Sequence, residues 1–362
     1  MSNPPSVREI RINPIVPSES VLISTARGMR PRKQEAAVER DRRAVVPTCP
    51  FCKGNESMTP PTLAAWPDAE KWQMRIVENL FPVLAAEGAH RSMTLGLQQV
   101  IDGYGRHEVV IDHAEHGIAL HEMAPEHIAR LFSLYRDRAA HLYASDPRLR
   151  YVLIFKNFGP AAGASIAHTH SQIIALPVVP ENVHNELHHA RAWHAKNGHC
   201  IFCALIDEAL TFEATVYDRE SGEIRRRVDV GQYVVERGNH FVAIKPFASR
   251  YEWELHVLPL RHESDFLAVT DAELEDFATV LQRAMARLDR VIGGAQYNFF
   301  LHTRPQGDPF AGDASSYHWH LEICPRTSIP SGFELGSGLF VSTVSPEDAA
   351  RRLREVDLAA QP

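Results

Sequence analysis

The sequence has no apolar run near the roughly 20 residues needed to span a bilayer, and its polar opening from Met1 to Arg8 contains no secretory leader. It also lacks a basic excess. Against 45 Asp and Glu there are 38 Lys and Arg, a net charge of -7 and a pI of about 6.3, which gives no support for a nucleic-acid partner. Cysteine is scarce, five in 362 residues, too few for a disulfide scaffold of this size. The expectation is a soluble, cytoplasmic protein without a membrane or nucleic-acid partner. What the chain does have is apolar residues, 44% of the total, enough for a large core and for two domains or two fused repeats.

The few cysteines are paired. Cys49 and Cys52 form one C-x-x-C, Cys200 and Cys203 form another, and Cys324 stands alone. In a cytosolic chain such pairs bind metal or do redox work more often than they form stable bridges. Neither pair opens a βαβ unit, which weakens a thioredoxin-like reading. Twenty histidines offer partner ligands.

Strand-like and helix-like runs do not alternate regularly, so an α+β fold is expected rather than a doubly wound sheet. Extended runs are Val21–Thr25, Glu108–Ile111, Tyr151–Phe155, Gln172–Leu176, Phe241–Lys245, Trp253–Leu258 and Tyr297–Leu301. Amphipathic helices are expected over Pro125–Tyr143, Glu181–Lys196, Asp271–Val291 and Pro346–Val356, with Thr270 and Glu273 as a capping box for the third. Residues 28–47 read as a charged surface arm and residues 303–316 as a polar connection.

A diverged repeat divides the chain into halves at 1–180 and 181–362. In the first, Cys49-x-x-Cys52 precedes His116 and then His168-Thr-His170-Ser-Gln172. In the second, Cys200-x-x-Cys203 precedes His262 and then His318-Trp-His320-Leu-Glu322. The gaps from Cys52 to His116 and from Cys203 to His262 are 64 and 59 residues; the next gaps are 52 and 56. Four ordered features at similar spacing are hard to reach by chance, even in a His-rich chain.

Zinc prefers four tetrahedral ligands drawn from thiolate and imidazole, two of them often supplied by one C-x-x-C. The best sets are Cys49, Cys52, His116 and His168, and Cys200, Cys203, His262 and His318. His113 competes with His116, and His302 or His320 with His318. A closed set of four protein ligands is structural, so neither ion is expected to act as a Lewis acid. Each half then keeps a histidine two residues past its ligand, His170 or His320, on the same side of an extended segment.

The segment from Phe155 to Gln172 reads FKNFGPAAGASIAHTHSQ. A strand enters a Gly/Ala-rich turn suited to close phosphate approach, then a His-x-His-x-Gln strand. This resembles the galactose-1-phosphate uridylyltransferase family of the histidine-triad superfamily, including its ADP-glucose phosphorylase-like branch. The resemblance extends to Arg11-x-x-Pro14, Val21-Leu-Ile, Arg27-x-x-Arg30-Pro31, Asn79-Leu-Phe-Pro82 and Gly332-Phe-Glu-Leu-Gly-Ser-Gly338. It implies two fused histidine-triad-like halves, each an antiparallel sheet with packed helices and a structural zinc site, in a homodimer with active sites near the interface.

The resemblance further implies that His170 attacks the α-phosphorus of a sugar nucleotide. The nucleotidyl-histidine is then resolved by a sugar 1-phosphate. Neutral imidazole is a competent nucleophile near pH 7 and splits one hard transfer into two easier ones. Gln172 can donate to a phosphoryl oxygen but cannot relay a proton to a leaving group, which favours transfer over hydrolysis. Matching positions make Asn157 and Ser165 candidates for phosphate, and Arg27, Arg30, Asn79 and Phe333 candidates for substrate.

The chain departs from the best-known members at Thr169, where they commonly carry Pro, and at Gly332, where they carry a phosphate-binding lysine. The second C-x-x-C is shared with the plant branch. UDP-glucose:hexose-1-phosphate uridylyl transfer is the first expectation, with adenylyl transfer from ADP-glucose second. A non-catalytic zinc-stabilised nucleotide-binding protein is the contrasting reading, and an exposed second histidine argues against it.

Two tightly held zinc ions per chain are expected, and Cys49→Ser should lose one of them together with much of the folded protein, because ligand binding and folding are coupled. Metal analysis of purified protein that finds one ion or none would remove the duplicated-site reading.

Overall fold

Helical and two-residue periodicities place the four expected helices and the seven expected extended runs within a larger set of elements, and the structure, a computed structural model, describes residues 7–29, 40–88, 91–211 and 214–359. Up to residue 180 the order is β1 (Arg8–Arg11), β2 (Val21–Ser24), β3 (Thr62–Trp66), β4 (Met74–Glu78), β5 (Ser92–Leu95), β6 (Gln98–Ile101), β7 (Arg106–Ile111), α1 (Pro125–Ser145), β8 (Tyr151–Phe158) and β9 (His170–Leu176). There follow α2 (Glu181–Asn197), α3 (Ile201–Thr211), β10 (Ala214–Tyr217), β11 (Ile224–Val228), β12 (Val234–Arg237), β13 (Phe241–Ile244) and β14 (Leu255–Pro259). The chain closes with α4 (Asp271–Ile292), β15 (Tyr297–His302), β16 (His320–Pro325), α5 (Gly332–Ser337), β17 (Phe340–Ser342) and α6 (Pro346–Arg354).

The fold is α+β. Ten strands form one sheet in the order β12-β13-β14-β16-β15-β8-β9-β7-β4-β3, all neighbours antiparallel. Outward from the central β15–β8 pair, both flanks use their own strands in the same sequence. β1, β2 and β17 make a small separate sheet, and β10–β11 and β5–β6 are two-stranded ribbons.

Alternation on the strands gives the sheet two different faces. Val110, Ile154, Ile173, Phe299, Leu321 and Ile323 point to a core closed by α1 and α4, whose Phe132 and Phe277 rings meet edge-on at 4.7 Å. Val109 and Ile111 turn to the other face, where they pack with Cys49, Cys52 and Trp72. On that face of the second flank α2 and α3 bury Leu187 and Phe202 against Val242 and Tyr317. His170 and Gln172 of β9, and His320 and Glu322 of β16, share the strand parity that faces away from α1 and α4.

Two expectations need revision. Cys203 sits on α3, an apolar helix the sequence reading had not separated, so the second C-x-x-C spans a helix start rather than a turn. Residues 303–316 are not simply a polar connection. They include a 3-10 segment, Asp308–Ser315, whose buried Asp313 is held by Arg191 of α2. Of the expected surface arm, residues 30–39 lie outside the described residues. No helix among the described residues is long and apolar enough to cross a membrane.

α4 is the clearest case of local sequence setting an element. Leu274, Phe277, Ala278, Leu281, Ala284, Met285 and Leu288 recur at helical spacing and are all buried. Thr270 Oγ1 accepts from the Glu273 backbone N–H at 3.3 Å, while the Glu273 carboxylate accepts from the Thr270 N–H at 2.9 Å. Gly293 ends the helix in a left-handed conformation. Replacing Thr270 with Ala should lower unfolding free energy by about 1 kcal/mol. Urea denaturation checks this, and an unchanged midpoint would show that the box adds nothing to packing.

Candidate active site and metal clusters

An extended strand can hold a ligand histidine and a second histidine two residues later on one side, and the first half uses this spacing. Cys49, Cys52, His116 and His168 are all buried, with their ligand atoms within 4.8 Å of one another. His168 Nδ1 lies 3.7 Å from Cys49 Sγ and 3.6 Å from Cys52 Sγ, and His116 Nδ1 lies 3.5 Å from Cys52 Sγ. Two ligands on one tetrahedral zinc are separated by about 3.5 Å, given the usual Zn–S and Zn–N lengths. The far ring nitrogens are held as well: His168 Nε2 faces the His113 carbonyl at 2.8 Å, and His116 Nε2 faces Asp41 at 3.5 Å. His113 therefore contributes its backbone oxygen, and His116 is the histidine whose ring joins the cluster. Burial holds His168 down to about 4, so its ring is neutral and able to ligate at pH 7.

The second half gathers Cys200, Cys203, His262 and His318 in the same way. Cys203 Sγ is 3.3 Å from His262 Nδ1 and 3.6 Å from His318 Nδ1. His262 Nε2 faces the Ala314 carbonyl at 2.8 Å and His318 Nε2 the Pro259 carbonyl at 3.0 Å. This cluster is more open, since His262 is exposed. Both donor sets fit zinc.

His170 is 8% exposed at the start of β9, with the edge of Phe51 against its ring at 5.2 Å. Its Nδ1–H donates to the His168 carbonyl at 2.8 Å, which leaves Nε2 as the unprotonated nitrogen. Burial lowers its pKa, so the ring stays neutral near pH 7.

Gln172 is positioned by a residue that sequence reading missed, His107 of β7. Val83 N–H donates to His107 Nδ1 at 3.2 Å, which assigns the ring proton to Nε2, and Nε2 then donates to Gln172 Oε1 at 2.7 Å. The amide NH2 of Gln172 is thereby turned away from His107. Asn79 lies beside this pair, its Oδ1 accepting from Phe81 N–H at 2.9 Å. Nothing in a chain with twenty histidines singles out His107; only the β7–β9 register brings it to Gln172.

The turn before His168 is held from the other flank of the sheet. Gly159 has φ of 85°, and a Cβ there would lie 2.5 Å from Gln296 Cγ. Gln296 accepts from Ala161 N–H at 2.7 Å, and Asn298 Nδ2 donates to Asn157 Oδ1 and to the Ala162 carbonyl, each at 2.8 Å. Asn157 thus braces the loop, while Ser165 is exposed on it. Arg27 is exposed after β2 and attracts Glu334 of α5, where Phe333 is half exposed. Among the described residues neither shares a hydrogen bond or ring contact with His170. Arg30 lies outside the described residues.

The counterpart of His170 has another setting. His320 Nδ1 donates to the His318 carbonyl at 3.0 Å, but Nε2 lies between Glu186 at 3.9 Å and Glu322 at 3.7 Å. Glu186, His302, His320 and Glu322 form one buried group, which shares Glu322 with Glu254 and His256. Sequence reading missed Glu186, Glu254 and His256 because they come from distant elements. Burial raises the Glu322 carboxyl, yet His256, His320 and Arg250 outweigh it and keep Glu322 well below the usual carboxylate range. Glu322 is therefore an anion. A cavity of about 1000 Å³ opens beside His320, Glu322 and Arg250.

Residues 3–180 match the family described as galactose-1-phosphate uridyl transferase, N-terminal domain. ADP-glucose phosphorylase of Arabidopsis thaliana is 31% identical over 353 residues, 97% of this chain and 93% of that protein. Galactose-1-phosphate uridylyltransferase of Thermotoga maritima is 28% identical over 359 residues, 97% of this chain and 99% of that one. The crystal structure of the Arabidopsis ADP-glucose phosphorylase with bound ADP-glucose superposes with a TM-score of 0.80 at 30% identity, covering 97% of this chain and 100% of that chain. With relatives of both kinds matching almost end to end, the chain belongs to the galactose-1-phosphate uridylyltransferase family of nucleotidyltransferases.

Proposed function

We propose that this protein moves a nucleoside monophosphate from a nucleoside diphosphate sugar to a phosphate-bearing acceptor through a covalent nucleotidyl-His170. The hydrogen bond from His170 Nδ1 to the His168 carbonyl carries the reading, because it leaves a buried, neutral imidazole with Nε2 as the attacking nitrogen. Nε2 bonds to the α-phosphorus and the bond to the sugar-phosphate oxygen breaks, releasing the sugar 1-phosphate. An acceptor phosphate oxygen then attacks the same phosphorus and His170 leaves as neutral imidazole. Gln172 donates its NH2 to the α-phosphoryl oxygens, and the loop of Asn157 and Ser165 receives phosphate.

Zinc in the Cys49 and Cys200 clusters would serve as a structural tie, each ion fixing the strand that begins two residues after its histidine ligand. Residues 1–180 and 181–362 are two fused copies of one unit, a reading supported by the identical strand order of the two flanks. The protein works as a homodimer. Exposed Phe81, Leu97, Phe333 and Leu335 favour this, and Arg27 and Phe333 would then meet substrate in the partner's site.

Similarity to ADP-glucose phosphorylase in sequence and in structure favours ADP-glucose as donor. UDP-glucose, with galactose 1-phosphate as acceptor, is the second reading, supported by the uridylyltransferase relatives.

Intact-protein mass after separate incubation with each donor should show one added nucleoside monophosphate, AMP from ADP-glucose on the first reading. His170→Ala should abolish the adduct and keep its zinc, whereas His320→Ala should still form it. Two adducts per chain, or loss of the adduct in His320→Ala alone, would reverse the roles of the halves. Turnover should not require added Mg²⁺.

The rate of adduct formation gives a pH test. Burial disfavours the His170 cation, so Nε2 keeps its lone pair below the ordinary histidine value of about 6.5. The single-turnover rate should reach its half-maximum below about pH 6.5 and be level above about pH 7. A midpoint above pH 7 would contradict a desolvated nucleophile.

A further inference from the structure

Behind the nucleophile strand lies a buried ion pair for which the reaction scheme has no use. Lys156 of β8 and Asp112, just past β7, have fully buried side chains, with Nζ 2.6 Å from Oδ2. The other two protons of the ammonium are directed at Thr169 Oγ1, at 2.8 Å, and the His170 carbonyl, at 3.0 Å. Asp112 reaches the same stretch of chain from the other side. Its backbone N–H donates to the Thr169 carbonyl at 3.2 Å, and its Oδ2 accepts from Ser171 Oγ at 2.9 Å. The Tyr135 hydroxyl of α1 completes the group at 3.1 Å from Asp112 Oδ1 and 2.7 Å from Ser171 Oγ. Residues 169, 170 and 171 are each gripped by one or both members of the pair.

The other half of the sheet shows what the frame itself requires. Phe155 pairs with Gln172 between β8 and β9, and Phe300 pairs with Glu322 between β15 and β16. In that register Lys156 corresponds to Leu301, Thr169 to Trp319 and Ser171 to Leu321. Asp112 follows Ile111, which pairs with His170, and the matching end of β14 is Leu258–Pro259. All are apolar and buried. Yet His320 keeps the same ring-to-carbonyl bond two residues back that His170 makes. Apolar packing is therefore enough to build a His-x-His strand and set its tautomer. A buried ion pair in the same place gives no dependable stability over apolar residues of similar volume, and is better explained by the geometry it specifies.

We propose that Lys156 and Asp112, with Thr169 as their handle, are positioning residues that lock the backbone on both sides of His170 for in-line attack on phosphorus. The inference rests on the nucleotidyl-His170 reading above. None of the three touches substrate; they act by holding the Cα–Cβ direction of His170, where an error near 1 Å costs on the order of 100-fold in rate. Thr169 matters through its hydroxyl, which accepts from the ammonium where Trp319 in the other half has only a packed ring.

The test is the time course of adduct formation from ADP-glucose, with UDP-glucose in parallel, read by intact mass over a range of donor concentrations. Lys156→Met with Asp112→Asn removes both charges together and so avoids stranding one of them. This double variant should bind zinc as the parent does and keep its half-saturating donor concentration within about threefold, while its maximal adduct rate falls about 30- to 100-fold. Thr169→Val, close in shape and with the ion pair intact, should lose about tenfold in the same rate. A folded double variant within threefold of the parent rate would overturn the proposal, as would a loss carried by half-saturation instead. If the double variant does not fold, Thr169→Val decides alone, and a rate within twofold of the parent overturns it. A parent that forms no adduct overturns the His170 reading and this inference together, whereas an active parent with unaffected variants overturns only the clamp.

Discussion

One hydrogen bond organises the first half of the chain, the 2.8 Å bond from His170 Nδ1 to the carbonyl of His168. The ring of His168 is fixed in turn, with Nδ1 toward two thiols and Nε2 toward the His113 carbonyl. A metal-type cluster, a backbone oxygen and an unprotonated ring nitrogen are thereby joined in series within three residues. The two-residue repeat of an extended chain makes this possible, and a slip of one residue in β9 would send His170 and Gln172 to the face covered by α1 and α4. The pairing of Ile111 with His170 and of Phe155 with Gln172 holds that register from both sides.

The same frame supports a different electrostatic setting in the second half. His107 and Gln172 make a neutral pair beside His170, which leaves an amide for an anion. His256 and Glu322 stand beside His320, and Arg250 bonds to the same carboxylate at 3.1 Å. An ionised Glu322 only accepts hydrogen bonds and repels a phosphate. Burial makes the contrast sharp, since charges in a poorly solvated site interact far more strongly than they would in water.

Although each half has its own cluster, the halves share more than a linker. The β8–β15 ladder makes one sheet of two flanks, and α1 and α4 close one common core beneath it. The loop preceding His168 is pinned by Gln296 and Asn298 from the opposite flank. The second half thus contributes to the first site by holding its backbone.

The sequence alone marked the long amphipathic helices, seven of the strands and the cysteines of both clusters. Residues at helical spacing marked every long helix except α3, an eleven-residue segment whose buried stripe is short, Ile201, Phe202, Ile206 and Ala209. Cysteine pairs at fixed spacing marked both clusters, because C-x-x-C is a local geometry that survives without knowledge of the fold. The choice of His116 over His113 was settled in three dimensions, where His113 turned its carbonyl to the cluster instead of its ring. His107, Lys156, Asp112 and Glu186 were invisible in one dimension. Each is an ordinary polar residue whose partners lie 13 to 134 positions away, and only tertiary packing brings them together. Local spacing encodes what a segment can become; which buried polar groups meet is decided by how the strands are paired.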